Sequence, residues 1–239
     1  MRRPENKILV GFAIASIWLA FNQGEITSWV SNWFPGASIA IPVILFVAVY
    51  RALCWIYWSF PVLTRLLNPR SFLNGDWVYI IRDDSSRHDH VYGMFRIAQL
   101  EDRIAARDGV NWYSDIDCPG HRATWVGTLT PLDDDAASWS LWFTVTMLDG
   151  KPLDAPSGAQ YLGSAWLQVV ERTEVFSAWP VLRTGTPRAL KGFWADFGGR
   201  PHHGRIYAVQ VPSGLDEAER RTRAQALAPQ LPEAPPDDG

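Results

Sequence analysis

Cysteine is nearly absent from this chain. Its 239 residues hold two, Cys54 and Cys118, too few for a disulfide framework, and that usage fits a reducing compartment. The recurrent signatures of catalysis and phosphate binding are missing as well: there is no GxGxxG, GxxxxGK[ST], HExxH, GxSxG or CxxC. Their absence argues against an enzyme. A net charge of −3 excludes a broad basic field, so nucleic acid polymers are not expected as partners and any anionic ligand must be met by a local cluster. The most telling gap is local. Between Ile8 and Tyr50 there is no Lys or Arg, whereas Arg2, Arg3 and Lys7 precede that stretch and Arg51, Arg65 and Arg70 follow it.

Two apolar runs lie inside this gap, residues 8–21 and 37–50, the second continuing to Phe60 with Arg51 as its interruption. Basic flanks around two apolar runs, with none between them, predict a transmembrane hairpin over residues 1–69, with helices at about 7–23 and 37–60 and both ends cytoplasmic. Trp29, Trp33 and Phe34 near the inter-helix turn, and Trp55, Tyr57, Trp58 and Phe60 after Arg51, suit the bilayer interface. Two alternatives stand beside this reading. The first run, at 14 residues, is short for a span of about 20 and resembles a signal peptide, although no small-x-small cleavage site follows it. A buried helical pair of a soluble protein would pass the same test.

After Pro69 the pattern becomes strand-like alternation. In 75–83, Trp77, Tyr79 and Ile81 oppose Val78, Ile80 and Arg82; in 138–147, Trp139, Leu141, Phe143, Val145 and Met147 oppose Ser138, Ser140, Trp142, Thr144 and Thr146. Further strands are expected at 90–99, 103–107, 110–115, 122–130, 160–171, 190–197 and 204–211, with a short helix at 174–182. Closely spaced strands divided by Gly, Pro and Asp clusters predict a roughly eight-stranded antiparallel, lipocalin-like β-barrel over residues 70–212. Residues 213–239 read as a charged helix, 215–227, and a Pro/Asp-rich tail without the apolar content to pack.

The candidate metal ligands His88 and His90, Cys118 and His121, and His202 and His203 lack a matching second half and read as surface groups, and no cofactor is expected. The acidic run Asp133 to Asp135 reads as a turn. The barrel is rich in aromatic residues, eight of the chain's 13 Trp among them, with scattered arginines including Arg96, Arg200 and Arg205. Rings stack on bases and arginines grip phosphates, so a nucleotide is one ligand such a barrel suits.

The segments LNGDWVY (73–79), MFRIAQ (94–99), YLGSAWL (161–167), LKGFWADF (190–197) and HGRIYAV (203–209), behind a two-helix anchor, resemble the two-transmembrane, β-strand-rich effectors of bacterial cyclic-oligonucleotide anti-phage (CBASS) systems, over residues 1 to 211. The resemblance implies a multi-pass inner-membrane effector, not an enzyme. Its cytoplasmic barrel would bind a cyclic dinucleotide, self-associate and disrupt the membrane in abortive infection. It implies ligand contacts at Tyr79, Arg96, Gln99, Tyr113, Trp194, Arg200, Arg205 and Tyr207. The competing reading is a lipocalin-like, membrane-anchored binder of an apolar small molecule.

Overall fold

The computed structural model describes residues 6–22, 24, 28, 37–84, 90–99, 103–112, 120–133, 135–148, 158–172, 186–197 and 202–231. The chain divides into two compact units, Met1–Asn68 and Pro69–Gly239.

The first unit is helical: α1 (Asn6–Phe21), α2 (Ala37–Ser59) and the short α3 (Pro61–Leu67). Phe12 of α1 meets Tyr57 of α2 edge-on, with ring centroids 6.1 Å apart, and Ser16 turns its hydroxyl back to donate to the Phe12 carbonyl at 2.7 Å, which satisfies a buried polar group within the helix. The other faces of both helices present Ile14, Trp18, Ile44 and Trp55 outward. One helix among the described residues is long and apolar enough to cross a membrane, through Pro42–Ser59 of α2; the apolar part of α1, Leu9–Phe21, is shorter.

The second unit is a closed barrel of eight strands: β1 (Gly75–Asp83), β2 (His90–Gln99), β3 (Ile104–Trp112), β4 (His121–Pro131), β5 (Ser138–Met147), β6 (Gln160–Arg172), β7 (Pro187–Asp196) and β8 (His203–Val211). Each strand pairs antiparallel with its sequence neighbour, and β8 returns to pair with β1, leaving no free edge. The alternation read from the sequence sets the faces. Trp77 and Tyr79 of β1, and Trp139 and Leu141 of β5, enter one buried cluster with Phe95, Trp125 and Leu167.

One expectation is corrected at β3. The segments 103–107 and 110–115 are separate strands on the sequence reading, with Asp108-Gly109 as their turn. In the structure their described parts, 104–107 and 110–112, both belong to β3, and Asp108-Gly109 is a bulge: Asp108 has φ of 53°, and the register against β4 shifts between Ala106 and Gly109. Gly109 is required there, because a Cβ would lie 2.4 Å from the Trp125 ring. Gly93 on β2 makes the matching gap, where a Cβ would lie 2.4 Å from the Tyr79 hydroxyl. These two positions admit an aromatic cluster in which Phe95 and Trp125 lie 5.1 Å apart and Tyr79 and Phe95 5.7 Å. Such pairs contribute about 0.5–1.5 kcal/mol each beyond the area they bury.

The C-terminal helix also differs from its expectation. The segment α4 (Glu217–Gln225) is not a solvated appendage; it lies on the outside of β1 and β2 and covers Val78, Trp112 and Val211 with Ala224, Leu215 and Leu227. Arg220 donates to Asp76 at 3.0 Å, and Asp76, buried to 4 % exposure, also accepts from Arg96 at 2.7 Å. Asp216 and Glu219 form a capping box at the helix start. Small and long-stemmed side chains form the contact face, so a count of apolar residues misses it.

Candidate functional site

Among the described residues, the barrel interior is fully buried toward one end and half-buried toward the other. At the buried end the indole of Trp77 donates to the Leu73 carbonyl at 2.9 Å and that of Trp139 to the Ala136 carbonyl at 3.0 Å, so both buried N–H groups are satisfied by the backbone that crosses the end. Arg172 also donates to the Ala136 carbonyl, at 3.2 Å, and its burial lowers its pKa from the ordinary arginine value. The acidic run stands at the β4–β5 turn, where Asp133 accepts from the Ala137 amide at 2.8 Å.

Along the axis the inner wall changes character. Trp77, Ile97, Leu141, Leu167 and Leu190 are buried, whereas Ile81, Asn111, Phe143, Val145, Tyr161 and Trp194, toward the other end, are half-buried. That end, the barrel mouth, is walled among the described residues by three half-buried aromatic rings, two aliphatic side chains and a carboxamide, with Ala123 and Met147 buried beside them. Below it, the Tyr79 hydroxyl accepts from the Trp125 indole at 2.7 Å and donates to the Asn111 side-chain oxygen, which leaves the Asn111 NH2 as a donor at the mouth. Burial raises the Tyr79 pKa well above its ordinary value, so the hydroxyl stays protonated and keeps donating.

Polar groups stand on the outer side of the same end. The His202 imidazole meets Asp83 at 2.9 Å, and the His202 amide donates to Asp196 at 2.9 Å. Arg82 and Arg205, direct cross-strand neighbours, share the Asp84 carboxylate at 3.8 and 3.4 Å, which places two guanidiniums around one acid. Among the described residues, no group of three or more His, Cys, Asp and Glu is placed to hold a metal ion.

The residues expected to bind ligand do not share one surface. Trp194 stands at the mouth, its indole donating to the Arg82 carbonyl at 3.3 Å, and Tyr79 lies deeper within the same interior. Gln99 sits at the buried end and donates to the Ser71 carbonyl at 2.8 Å. Arg96, Arg205 and Tyr207 point outward: Arg96 is engaged with Asp76, which raises its pKa, Arg205 stands at the rim, and burial raises the Tyr207 pKa. Tyr113 and Arg200, with the helix expected at 174–182, lie outside the described residues. Phe143, Val145 and Tyr161 are the mouth residues the sequence reading passed over. Their signal was present, since Phe143 and Val145 continue the inward alternation of Trp139 and Leu141.

A second concavity, of about 790 Å³, lies against the barrel wall of β3 to β6, lined by Arg107, Thr128, Trp142, Thr144, Leu162 and Phe197 among others. No protein-family model matches the chain, and no curated protein shows significant similarity to it.

Proposed function

We propose that the chain is a membrane-anchored sensor and effector whose barrel binds a cyclic dinucleotide at its mouth, in the manner the resemblance to the CBASS effectors implies. The observation that carries this reading is the change from buried to half-buried inner wall, which leaves Phe143, Tyr161 and Trp194 available at one end of an otherwise packed barrel. Bases stack on such rings, each contributing about 1–3 kcal/mol. Asn111 supplies a donor for a base edge, and Arg82 and Arg205, which share Asp84 on the outer face of the same end, add positive charge near it. The apolar α2, with α1 as its partner, would anchor the chain as a two-helix hairpin in a bacterial inner membrane with the barrel in the cytoplasm. Ligand would act by favouring an assembled state of higher affinity, in which the helices cluster and breach the bilayer without bond-making chemistry.

Calorimetric titration of the full-length chain in nanodiscs with a panel of cyclic dinucleotides tests the reading. Micromolar or tighter binding to at least one, weakened tenfold or more by Trp194→Ala, is expected; no binding by any member overturns it.

One observation favours a second reading, a binder of apolar small molecules. The buried interior is packed with aromatic and aliphatic side chains, Trp77, Phe95, Leu141 and Leu167 among them. Displacement of a fluorescent fatty acid from the same preparation, with no response to nucleotides, would establish that alternative.

A further inference from the structure

The outer wall of the barrel carries an apolar surface that the nucleotide reading does not use. On β5 to β7 the outward positions hold Trp142 at 59 % exposure, Leu162 at 63 %, Trp166 at 41 % and Phe193 at 60 %, with Phe197 at 60 % just beyond β7. They are contiguous. Trp142 stacks on Phe197 with ring centroids 6.4 Å apart and Trp166 on Phe193 at 6.5 Å, while Leu162 lies diagonal to Trp142 across the β5–β6 ladder. At about 150–250 Å² for a whole aromatic side chain, the rings and Leu162 expose on the order of 600 Å² of apolar surface. That is the top of the range found for the largest patch on a monomeric protein, about 300–600 Å².

The charges around this surface select its occupant. Strands β4 to β7 carry Arg122, Arg188 and Lys191 against Glu171 and Asp196, Asp196 is engaged by the His202 amide, and Arg103, Arg107 and Asp108 line the concavity that Trp142, Leu162 and Phe197 share. Lys191 lies two residues from Phe193 on the same face, and Arg205 is the cross-strand neighbour of Phe193 on β8. A second copy of this face would bring basic rim against basic rim. A bilayer surface carrying anionic headgroups complements it: Trp and Phe favour the interfacial layer, and each Lys or Arg near such a surface adds about 1 kcal/mol of attraction.

We infer that the β5–β7 face of the barrel docks on an anionic lipid surface, with the Trp142, Leu162, Trp166, Phe193 and Phe197 side chains entering the headgroup layer. The contact is made by the barrel itself and is separable from nucleotide binding and from anchoring by the helices. Its role would be to seat the β5–β7 wall on the membrane, with α4 on the opposite side of the barrel.

The test uses the full chain with Cys54→Ser and Cys118→Ser and an environment-sensitive fluorophore on Leu162→Cys, incorporated at one chain per nanodisc of phosphatidylcholine mixed with phosphatidylglycerol. The emission should shift to the blue, and the shift should shrink in high salt and in discs of phosphatidylcholine alone. The same label on Arg223→Cys of α4 should stay at its aqueous emission. A Leu162 label indistinguishable from the Arg223 label overturns the inference. So does a shift that needs two chains per disc, which would assign the face to a second copy. As a label-free measurement, lipids brominated on their acyl chains should quench the wild-type tryptophan emission more than that of Trp142→Phe/Trp166→Phe. If the chain fails to enter discs, the anchoring reading falls; the labelled chain added to anionic vesicles then reads docking alone, a blue shift supporting it and an unchanged spectrum overturning it.

Discussion

At the scale of single residues, the interior is held by a few contacts that tolerate little change. Tyr79 is the hinge of a hydrogen-bond chain inside the barrel, accepting from Trp125 and donating to Asn111. Tyr79→Phe strands a buried indole N–H and should lower the unfolding free energy by about 1–3 kcal/mol, measured by urea denaturation. Gly93→Ala should cost at least as much, about 1–3 kcal/mol or more, because the new methyl meets both the Tyr79 hydroxyl and the Val110 carbonyl, at 2.4 and 2.3 Å, and the carbonyl belongs to a paired strand that cannot retreat. A Tyr79→Phe/Gly93→Ala double mutant should be slightly less destabilised than the sum of the singles, since the first change removes the hydroxyl oxygen but leaves the ring Cζ and the Val110 carbonyl at 2.4 and 2.3 Å.

At the scale of elements, α4 sets the stability of the β1–β2 wall. Arg220→Ala leaves the buried Asp76 with Arg96 alone and should destabilise the barrel by about 1–3 kcal/mol, with native-state hydrogen exchange rising first in β1, β2 and α4. The helix also carries a pH dependence. His121 and Trp112 both engage the Glu217 side chain, at 2.8 and 3.1 Å, and the His121 hydrogen bond is the largest cause of a Glu217 pKa held below its ordinary value of 4.5. A carboxyl with a depressed folded-state pKa contributes its stability above the unfolded value and loses it as pH falls through the folded one. Docking of α4 should therefore be constant at neutral pH and weaken below about pH 4.5, and Glu217→Gln should flatten that dependence in a Trp112 near-UV signal. Strand rhythm was the legible part of this unit: 75–83 and 138–147 display their two faces in plain alternation, and the same alternation puts Arg96, between Phe95 and Ile97, on the outside. The covering of β1 by α4 was not legible. Val78 and Ile80 look like a wet face until a distant helix lands on it, and a helix that docks through Ala224 and arginine stems shows no apolar stripe. The join within β3 was hidden for a different reason, because Asp-Gly with positive φ serves a hairpin and a bulge equally well.

At the scale of the whole molecule, the apolar α2 and the barrel make separable predictions. Val47→Lys places a charge within Pro42–Ser59, costs about 3 kcal/mol for insertion near a helix centre, and should move the chain from the membrane to the soluble fraction on carbonate extraction. The barrel should keep its fold in that variant, read from its near-UV spectrum, because its closure is complete within Pro69–Gly239. The half-buried inner wall at one end of the barrel was the least legible property of the chain. Being half-buried depends on where each inward residue falls along the barrel axis, which alternation alone does not reveal: Leu141 and Phe143 share one face of one strand, and only the second stands at the mouth.

The pairing of β8 with β1 has a consequence for how the protein is made. The first strand leaves the ribosome more than 120 residues ahead of the partner that completes its ladder, as Asp76 waits for Val211. Until then β1 and the growing sheet present unpaired backbone edges lined with Trp and Tyr, while the apolar helix preceding them has already emerged. Synthesis must therefore pass through an interval in which an unfinished sheet is adhesive, and premature termination before Val211 would release an open sheet rather than a shortened barrel.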